Sequence, residues 1–172
     1  MINEKAAQLG RIIAERGHTV VTGGCTGLPY VVASSASKCG AASIAFSPAR
    51  DLEEHKTRFD FPTDAFSELR FIPKDFDFVD SKGACLKLRN VYTVAFSDAI
   101  VFISGKTGTL NEFTIAYDLG KPIGALKGSG RVTDSIPQII EMLQKPSDSI
   151  IVYSDDPEEI IERLEVAAGR HR

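Results

Sequence analysis

Glycine, threonine and lysine residues cluster at two points where a predicted strand runs into a predicted helix. The first turn is Gly23-Gly24-Cys25-Thr26-Gly27, and the second is Gly105-Lys106-Thr107-Gly108 followed by Thr109. Glycine lets the backbone turn tightly and leaves no Cβ to hold a ligand away. A helix that begins at such a turn presents free N–H groups and the positive end of its dipole, which suits an anion, most often a phosphate. The two turns therefore predict a nucleotide or another phosphate-bearing small molecule as the ligand.

The second turn contains a Gly-Lys-Thr sequence that invites comparison with the phosphate loop of nucleoside-triphosphatases. That loop needs a glycine five residues before the glycine of the Gly-Lys pair, and position 100 is Ile100. Neither turn has the full Gly-x-Gly-x-x-Gly pattern of a dinucleotide site. An ATPase is therefore disfavoured.

Glu112 is a candidate for chemistry on the ligand. It stands three residues after Thr109, and this spacing has the form of a capping box, in which a hydroxyl and a carboxylate close a helix N-terminus. The same carboxylate could instead contact a sugar or a water molecule beside a bound phosphate. The residues alone slightly favour the capping interpretation.

Arg89 is the second candidate. It lies on a predicted helix, beside an apolar stripe that includes Leu88, Val91 and Tyr92, so it is expected to flank the buried face. Most arginines in such positions are solvated. If the helix lines the cleft, however, the forked donors of Arg89 would suit a phosphate or the carboxylate of Glu112.

Alternating strand and helix patterns place these residues in an α/β fold. Apolar runs predict strands at 18–22, 41–46, 99–103, 123–126 and 150–153, and helical periodicity predicts helices near 3–16, 28–39, 88–96, 109–119, 136–143 and 157–166. This order predicts a mainly parallel sheet with helices on both faces, in one domain spanning residues 1–172. Ligands of such sheets bind beyond the carboxyl ends of the strands, where both glycine turns lie.

The pattern lapses between Ser47 and about Gly83, where prolines interrupt it. This segment holds six of the ten phenylalanines: Phe59, Phe61, Phe66, Phe71, Phe76 and Phe78. They could form a pocket for a flat base, or they could close the sheet edge or a subunit interface. The second alternative is preferred.

Composition narrows the class of protein. The formal net charge of −3 over 172 residues gives no general attraction to DNA or RNA, and no apolar run is long enough to span a membrane. Three cysteines without metal-ligand spacing indicate reduced thiols and a cytoplasmic protein. The three histidines, His18, His55 and His171, are scattered, so no metal site is expected.

Taken together, these motifs resemble the LONELY GUY family and its wider superfamily, long labelled "possible lysine decarboxylases". The matching segments, in the family's order, are Gly23-Gly24-Cys25-Thr26-Gly27-Leu28, Arg89-Asn90, Ser97-Asp98-Ala99, Gly108-Thr109-Leu110-Asn111-Glu112 and Gly120-Lys121-Pro122-Ile123. They cover roughly residues 3–126. The Arg-Asn pair is similar to the branch close to molybdenum-cofactor carriers. The decarboxylase label does not fit, since no context for a pyridoxal-binding lysine is visible.

The resemblance implies a Rossmann-like three-layer sandwich, a homodimer or higher homo-oligomer, and no bound cofactor. It places Arg89 and Glu112 on the family's catalytic arginine and glutamate. Gly105, Gly108 and Thr109 fall on its phosphate-binding turn. The implied reaction is hydrolysis of the base–ribose bond of a nucleoside 5′-monophosphate, whose developing positive charge on the ribose a carboxylate would stabilise.

The sequence departs from the family pattern at several points. Ser104-Gly105-Lys106 replaces Pro-Gly-Gly, Asn111 replaces the first glutamate of a pair, and Pro29-Tyr30 adds bulk beside the first turn. The family's first strand has no counterpart in this sequence. Two functions therefore stay open: a phosphoribohydrolase, and a carrier that binds a nucleotide or molybdenum cofactor without cleaving it. A purely structural oligomer is a third, weaker alternative.

Overall fold

The chain contains two three-stranded parallel sheets with helices packed on them. The computed structural model describes residues 2–169. Its contacts divide the chain into two compact units, one ending at Thr93 and the other beginning at Val94. The predicted α/β class with parallel strands is confirmed. The prediction that residues 1–172 form one domain stays a prediction.

The N-terminal unit holds a sheet with strand order β1-β2-β3. All four residues of the central strand β2 are buried, whereas the edge strand β3 carries the charged residues Glu68 and Arg70. Its elements are α1 (Ile2–Glu15), β1 (Val20–Thr22), α2 (Leu28–Lys38), β2 (Ser43–Phe46), α3 (Leu52–Thr57), β3 (Glu68–Arg70) and α4 (Lys82–Phe96), the last of which extends past the unit boundary.

The C-terminal unit holds a sheet with strand order β4-β5-β6. Its core forms where Phe102 meets Phe113 edge to face, with ring centroids 6.0 Å apart, and Phe113 meets Tyr117 at 5.7 Å. Its elements are β4 (Ile100–Phe102), α5 (Thr107–Asp118), β5 (Ile123–Leu126), α6 (Arg131–Asp134), α7 (Ile136–Leu143), β6 (Ile151–Ser154) and α8 (Pro157–Gly169).

Helices α1 and α2 pack closely because of one glycine. A Cβ at Gly10 would overlap with the carbonyl oxygen of Val32 and lie 2.9 Å from Cβ of Ser35. The absent side chain lets the two helix backbones approach, and Ala6, also on the buried face of α1, has no exposed surface. A larger residue at position 10 would push α1 off α2.

The segment between residues 47 and 83 is more regular than the sequence predicts. It contains α3 and β3, which the sequence analysis does not predict. Phe59, Phe61, Phe71 and Phe76 pack with Ile72 and the buried Cys85 in a satellite core. Packing in this core accounts for these four rings.

His55 is a fully buried polar residue beneath the first glycine turn. Its Nδ1 lies 2.8 Å from Oγ of Ser47, and its Nε2 lies 3.2 Å from the carbonyl oxygen of Pro62. Ser47 Oγ also accepts a hydrogen bond from the amide of Ala49 at 3.0 Å. A neutral ring that donates from Nε2 and accepts at Nδ1 satisfies every group. Burial lowers the pKa of His55.

The free energy of unfolding is predicted to fall as the pH drops below about 6.5, the ordinary histidine pKa. The lowered pKa of His55 in the folded state means that protonation favours the unfolded chain, so this stability is complete above that pH and is lost below it. The loss approaches about 1.4 kcal/mol per pH unit until the folded-state pKa is reached. Urea unfolding between pH 5 and 7.5 measures it. His55→Gln should flatten this dependence. An unchanged slope in His55→Gln would contradict the assignment.

Candidate phosphate-binding site

The second glycine turn leads into a helix whose N-terminus is uncapped. Helix α5 begins at Thr107, and its first internal hydrogen bond runs from the amide of Leu110 to the carbonyl oxygen of Lys106 at 3.0 Å. Lys106 occupies the N-cap position without a capping side-chain bond. The amides of Thr107, Gly108 and Thr109 accordingly have no acceptor on the described residues. They are three donors at the positive end of a 12-residue helix.

The predicted capping box at Thr109 is wrong. Because the helix starts two residues earlier, Thr109 lies inside the first turn and cannot act as the N-cap. Its side chain packs against Gly105, where a Cβ would overlap with Oγ1 and Cγ2 of Thr109. Gly105 also has a φ of +95°. Glycine is therefore required at position 105 by backbone conformation and by packing.

Gly108 is a glycine that the fold itself does not need. Its φ is not positive, and a Cβ built there would meet no atom within 4 Å. Alanine in a helix is more stable than glycine by about 0.5–1 kcal/mol. The open space beside three unpaired amides is what a bound oxyanion would occupy, and this favours phosphate binding at Thr107–Thr109.

A third glycine-containing loop, after β5, holds the second turn in place. Ser104 has a left-handed φ of +56°, which costs a non-glycine residue about 1–2 kcal/mol. Its carbonyl oxygen accepts hydrogen bonds from the amide of Thr133 at 3.2 Å and from Thr133 Oγ1 at 2.6 Å. Its amide donates to Oγ of Ser129 at 2.7 Å, and the amide of Val132 donates to the carbonyl oxygen of Gly105 at 3.4 Å.

Asp134 fixes the shape of this third loop. Its carboxylate accepts hydrogen bonds from the amide of Gly128 at 2.8 Å and from that of Gly130 at 2.9 Å. The sequence analysis does not identify residues 127–134 as part of the site. The sequence does contain a feature that indicates this loop: Gly128-Ser129-Gly130 directly follows a predicted strand, as the other two glycine turns do.

Glu112 and Lys106 lie on or beside the same helix. Glu112 is half-buried in the second turn of α5, on the element that carries the free amides, and Lys106 is exposed at its N-cap. The structure thus supplies a cation and a carboxylate next to the candidate anion site. Their roles in phosphate binding and catalysis stay predictions.

The first glycine turn belongs to the N-terminal unit. Gly24 and Gly27 have φ values of +68° and +87°, which glycine adopts without strain. A Cβ at Gly24 would also lie 3.2 Å from Ala45 Cβ and 3.3 Å from Cε1 of His55. A Cβ at Gly23 would overlap with the guanidinium of Arg89. Gly24 and Gly27 are therefore required by backbone conformation, and a side chain at position 23 would displace the guanidinium of Arg89.

Arg89 is buried, with 7% of its surface exposed, and binds the first glycine turn. Its Nη1 donates a hydrogen bond to the carbonyl oxygen of Gly23. Asn90 and Thr93, on the same helix, are also buried. The expectation that Arg89 flanks a buried apolar face is wrong, since the arginine is itself on the buried face.

The apolar stripe of α4 is correspondingly exposed. Val91, Tyr92 and Phe96 keep 44%, 37% and 46% of their surface accessible. Helix α4 thus buries Arg89, Asn90 and Thr93 beside the apolar Cys85 and Val94, and leaves part of its apolar stripe exposed.

The Gly-Lys-Pro motif has a structural role. Lys121 Nζ donates to the carbonyl oxygens of Ala95 and Ser97 at 3.1 and 2.8 Å. These carbonyls lie at the end of α4, where a helix leaves its acceptors unsatisfied and favours a cation. Lys121 therefore closes α4 and is not a ligand-binding candidate.

Residues 2–169 contain no group of three or more histidine, cysteine, aspartate or glutamate side chains arranged to hold a metal ion. Within the same residues, no helix combines the length and the apolar character needed to cross a bilayer. His171 lies outside the described residues.

Parallel three-stranded sheets with glycine turns at their carboxyl ends define a Rossmann-like α/β protein. The chain belongs to the SLOG cluster4 family, whose model matches residues 1–161. It is 31% identical over 122 residues to an uncharacterized protein of Archaeoglobus fulgidus, in an alignment that covers 71% of this chain and 68% of that protein.

Solved structures confirm the fold. The protein TM1055 superposes with a TM-score of 0.76 at 23% identity, covering 96% of this chain and 88% of that one. The molybdenum cofactor binding protein of Rippkaea orientalis gives 0.70 at 21% identity, covering 96% and 87%. These solved structures confirm the Rossmann-like fold. The match to the SLOG cluster4 family confirms the resemblance to the wider LONELY GUY superfamily.

A further neighbour bears on the expected partners. DNA processing protein A of Helicobacter pylori, which binds single-stranded DNA, gives a TM-score of 0.64 at 19% identity, covering 96% of this chain and 74% of that one. The expectation that this protein has no nucleic-acid partner therefore stays a prediction. The cytoplasmic location and the homo-oligomer stay predictions as well.

Thr133→Val is predicted to lower the free energy of unfolding by about 1–2 kcal/mol, because it removes a buried hydroxyl that donates to Ser104. It should also speed amide exchange at Gly105 and Lys106. Thr57→Val is the matched control, since Thr57 Oγ1 makes the same kind of bond, to the carbonyl oxygen of Glu53 at 2.9 Å, but is exposed. Urea unfolding and hydrogen-exchange mass spectrometry measure both variants. Equal losses in the two would contradict a special role for Thr133.

Proposed function

We propose that this protein binds a nucleoside 5′-monophosphate or a similar phosphate-bearing nucleotide, with the phosphate on the amides of Thr107, Gly108 and Thr109. The observation that carries the proposal is the open space at Gly108 beside these three amides. Glycine at this position costs helix stability, and close approach of a ligand explains why it is present. Family membership and the structural neighbours support a ligand-binding fold.

Two further residues would strengthen phosphate binding at this site. Lys106, exposed at the N-cap, adds a formal charge to the positive end of the helix dipole. Thr107 is exposed as well and offers a hydroxyl within the first turn of α5. Lys106 thus supports anion binding at the point where the family pattern has glycine.

Gly108→Ala should weaken binding of adenosine 5′-monophosphate by at least about tenfold, or about 1.4 kcal/mol, because the new methyl group occupies the phosphate space. The same change should raise the free energy of unfolding by about 0.5–1 kcal/mol. Isothermal titration calorimetry and urea unfolding measure the two effects.

Gly83→Ala is the matched control for this experiment. Gly83 also lies in the first turn of a helix, without a positive φ, and a Cβ there meets no atom within 4 Å. Gly83→Ala should stabilise the protein without changing its affinity. Unaltered affinity in Gly108→Ala would refute the proposed phosphate position.

We further propose hydrolysis of the base–ribose bond as the reaction. Water would add to C1′ of the ribose, and the base would leave with a proton. Positive charge develops on the ribose in the transition state, and a carboxylate one turn inside the phosphate-binding helix suits its stabilisation. Glu112 is the carboxylate at that position on α5. The alternative, a carrier of a nucleotide or molybdenum cofactor, is supported by the molybdenum-cofactor-binding neighbour.

Glu112→Gln should lower the rate of free-base release from nucleoside monophosphates by about 10²-fold or more. Nucleotide affinity should change little, because the phosphate contacts are made by backbone amides. Chromatographic detection of adenine, and of the other bases in parallel, measures the rate. Nucleotide binding by the unaltered protein without base release would exclude the hydrolase and favour the carrier.

A further inference from the structure

Arg89 is a buried cation that has no counter-ion among the residues that the structure describes. Only 7% of its surface is exposed. Its guanidinium has one acceptor, the neutral carbonyl oxygen of Gly23. No carboxylate among residues 2–169 forms an ion pair with it. A buried charge without an opposite charge is strongly unfavourable, so the site is electrostatically incomplete as it stands.

The unused donors of Arg89 have a defined geometry. Its Nε is fully buried and has no hydrogen-bond partner. Because Nη1 is used by Gly23, the remaining edge of the guanidinium presents Nε and Nη2 side by side. Two parallel N–H groups of this kind match two oxygens of one oxyanion, in the bidentate arrangement that arginine favours.

The turn that Arg89 contacts adds further donors. Helix α2 has 11 residues, begins after Gly27 without a capping side chain, and makes its first internal bond from the amide of Val31 to Gly27. The amides of Leu28 and Tyr30 have no acceptor on the described residues, and Pro29 has no N–H. The positive end of α2 is therefore uncompensated on the same turn that holds the guanidinium.

We propose that Arg89 and the first glycine turn bind a second phosphate-type oxyanion, separate from the one on α5. The inference goes beyond the proposed function, because it assigns a phosphate-type oxyanion to the N-terminal unit, whatever ligand α5 binds. The guanidinium would take two oxygens of the second group through Nε and Nη2. The anion would supply the negative charge that residues 2–169 do not place beside Arg89.

The test follows the Nε–H signal of Arg89 in the full-length, ¹⁵N-labelled protein during titration with inorganic phosphate. Arg89→Lys identifies the signal, and side-chain correlation in the unaltered protein identifies it if that variant does not fold. We expect a saturable shift that persists in Gly108→Ala, with an affinity within about twofold of the unaltered protein. Arg89→Lys keeps the positive charge but loses the paired N–H donors of the guanidinium. The shifts that phosphate causes in the amides of Thr107–Thr109 should persist in this variant.

Two results would overturn the inference. The first is an Arg89 signal that does not respond while the α5 amides shift, a result that would not affect the proposed function. The second is a response of Arg89 that disappears in Gly108→Ala, which would show that the two effects are not independent. Loss of the α5 amide shifts alone, with a persistent Arg89 response, would instead count against the proposed function and leave the second oxyanion site in place.

Discussion

The left-handed backbone of Ser104 is the constraint on which the second glycine turn depends. A serine does not hold that conformation without support, and the support comes from Thr133 and Ser129 in the loop after β5. With Ser104 held, Gly105 can pack directly on Thr109, and α5 starts at Thr107. The three unpaired amides are thus a consequence of hydrogen bonds made one loop away. Asp134, which shapes that loop, is a positioning residue of the site.

The glycines of the two turns fall into two groups with different physical causes. Gly24, Gly27 and Gly105 have positive φ values, and Gly23 and Gly105 lie where a Cβ would overlap with Arg89 or Thr109. Gly108 shares neither property. A pattern of glycines in a sequence does not separate these groups, because conformational need and ligand access select the same residue type. The structure separates them, and Gly108 is the glycine of the two turns for which neither backbone conformation nor packing gives a reason.

Much of the architecture could be predicted from the sequence, because buried parallel strands and amphipathic helices leave strong periodic signals. The bounds of β5 agree with the apolar run at 123–126, and α2 begins at Leu28, directly after its glycine turn. The short elements α3, β3 and α6 were missed, since three to six residues carry too little periodicity. The start of α5 was placed two residues late because the threonine–glutamate spacing resembles a cap, whereas the helix begins without one.

Helix α4 shows why the rest of the site could not be predicted from periodicity. A pattern of apolar residues every three or four positions indicates which residues share a face, but not whether that face meets the core or solvent. On α4 the apolar face, with Val91, Tyr92 and Phe96, is exposed, and Arg89 is buried. An ordinary surface helix buries its apolar residues and exposes its polar ones. Departures from this pattern, such as the buried Arg89, are expected at functional sites.

The buried face and the exposed face of α4 differ in chemistry. A buried guanidinium whose acceptor is a neutral carbonyl favours an anion, because no carboxylate among residues 2–169 pairs with it. The valine, tyrosine and phenylalanine of the exposed stripe leave apolar surface accessible to solvent. Arg89, a polar residue on the buried face of α4, is thus the residue that connects this helix to the proposed oxyanion site.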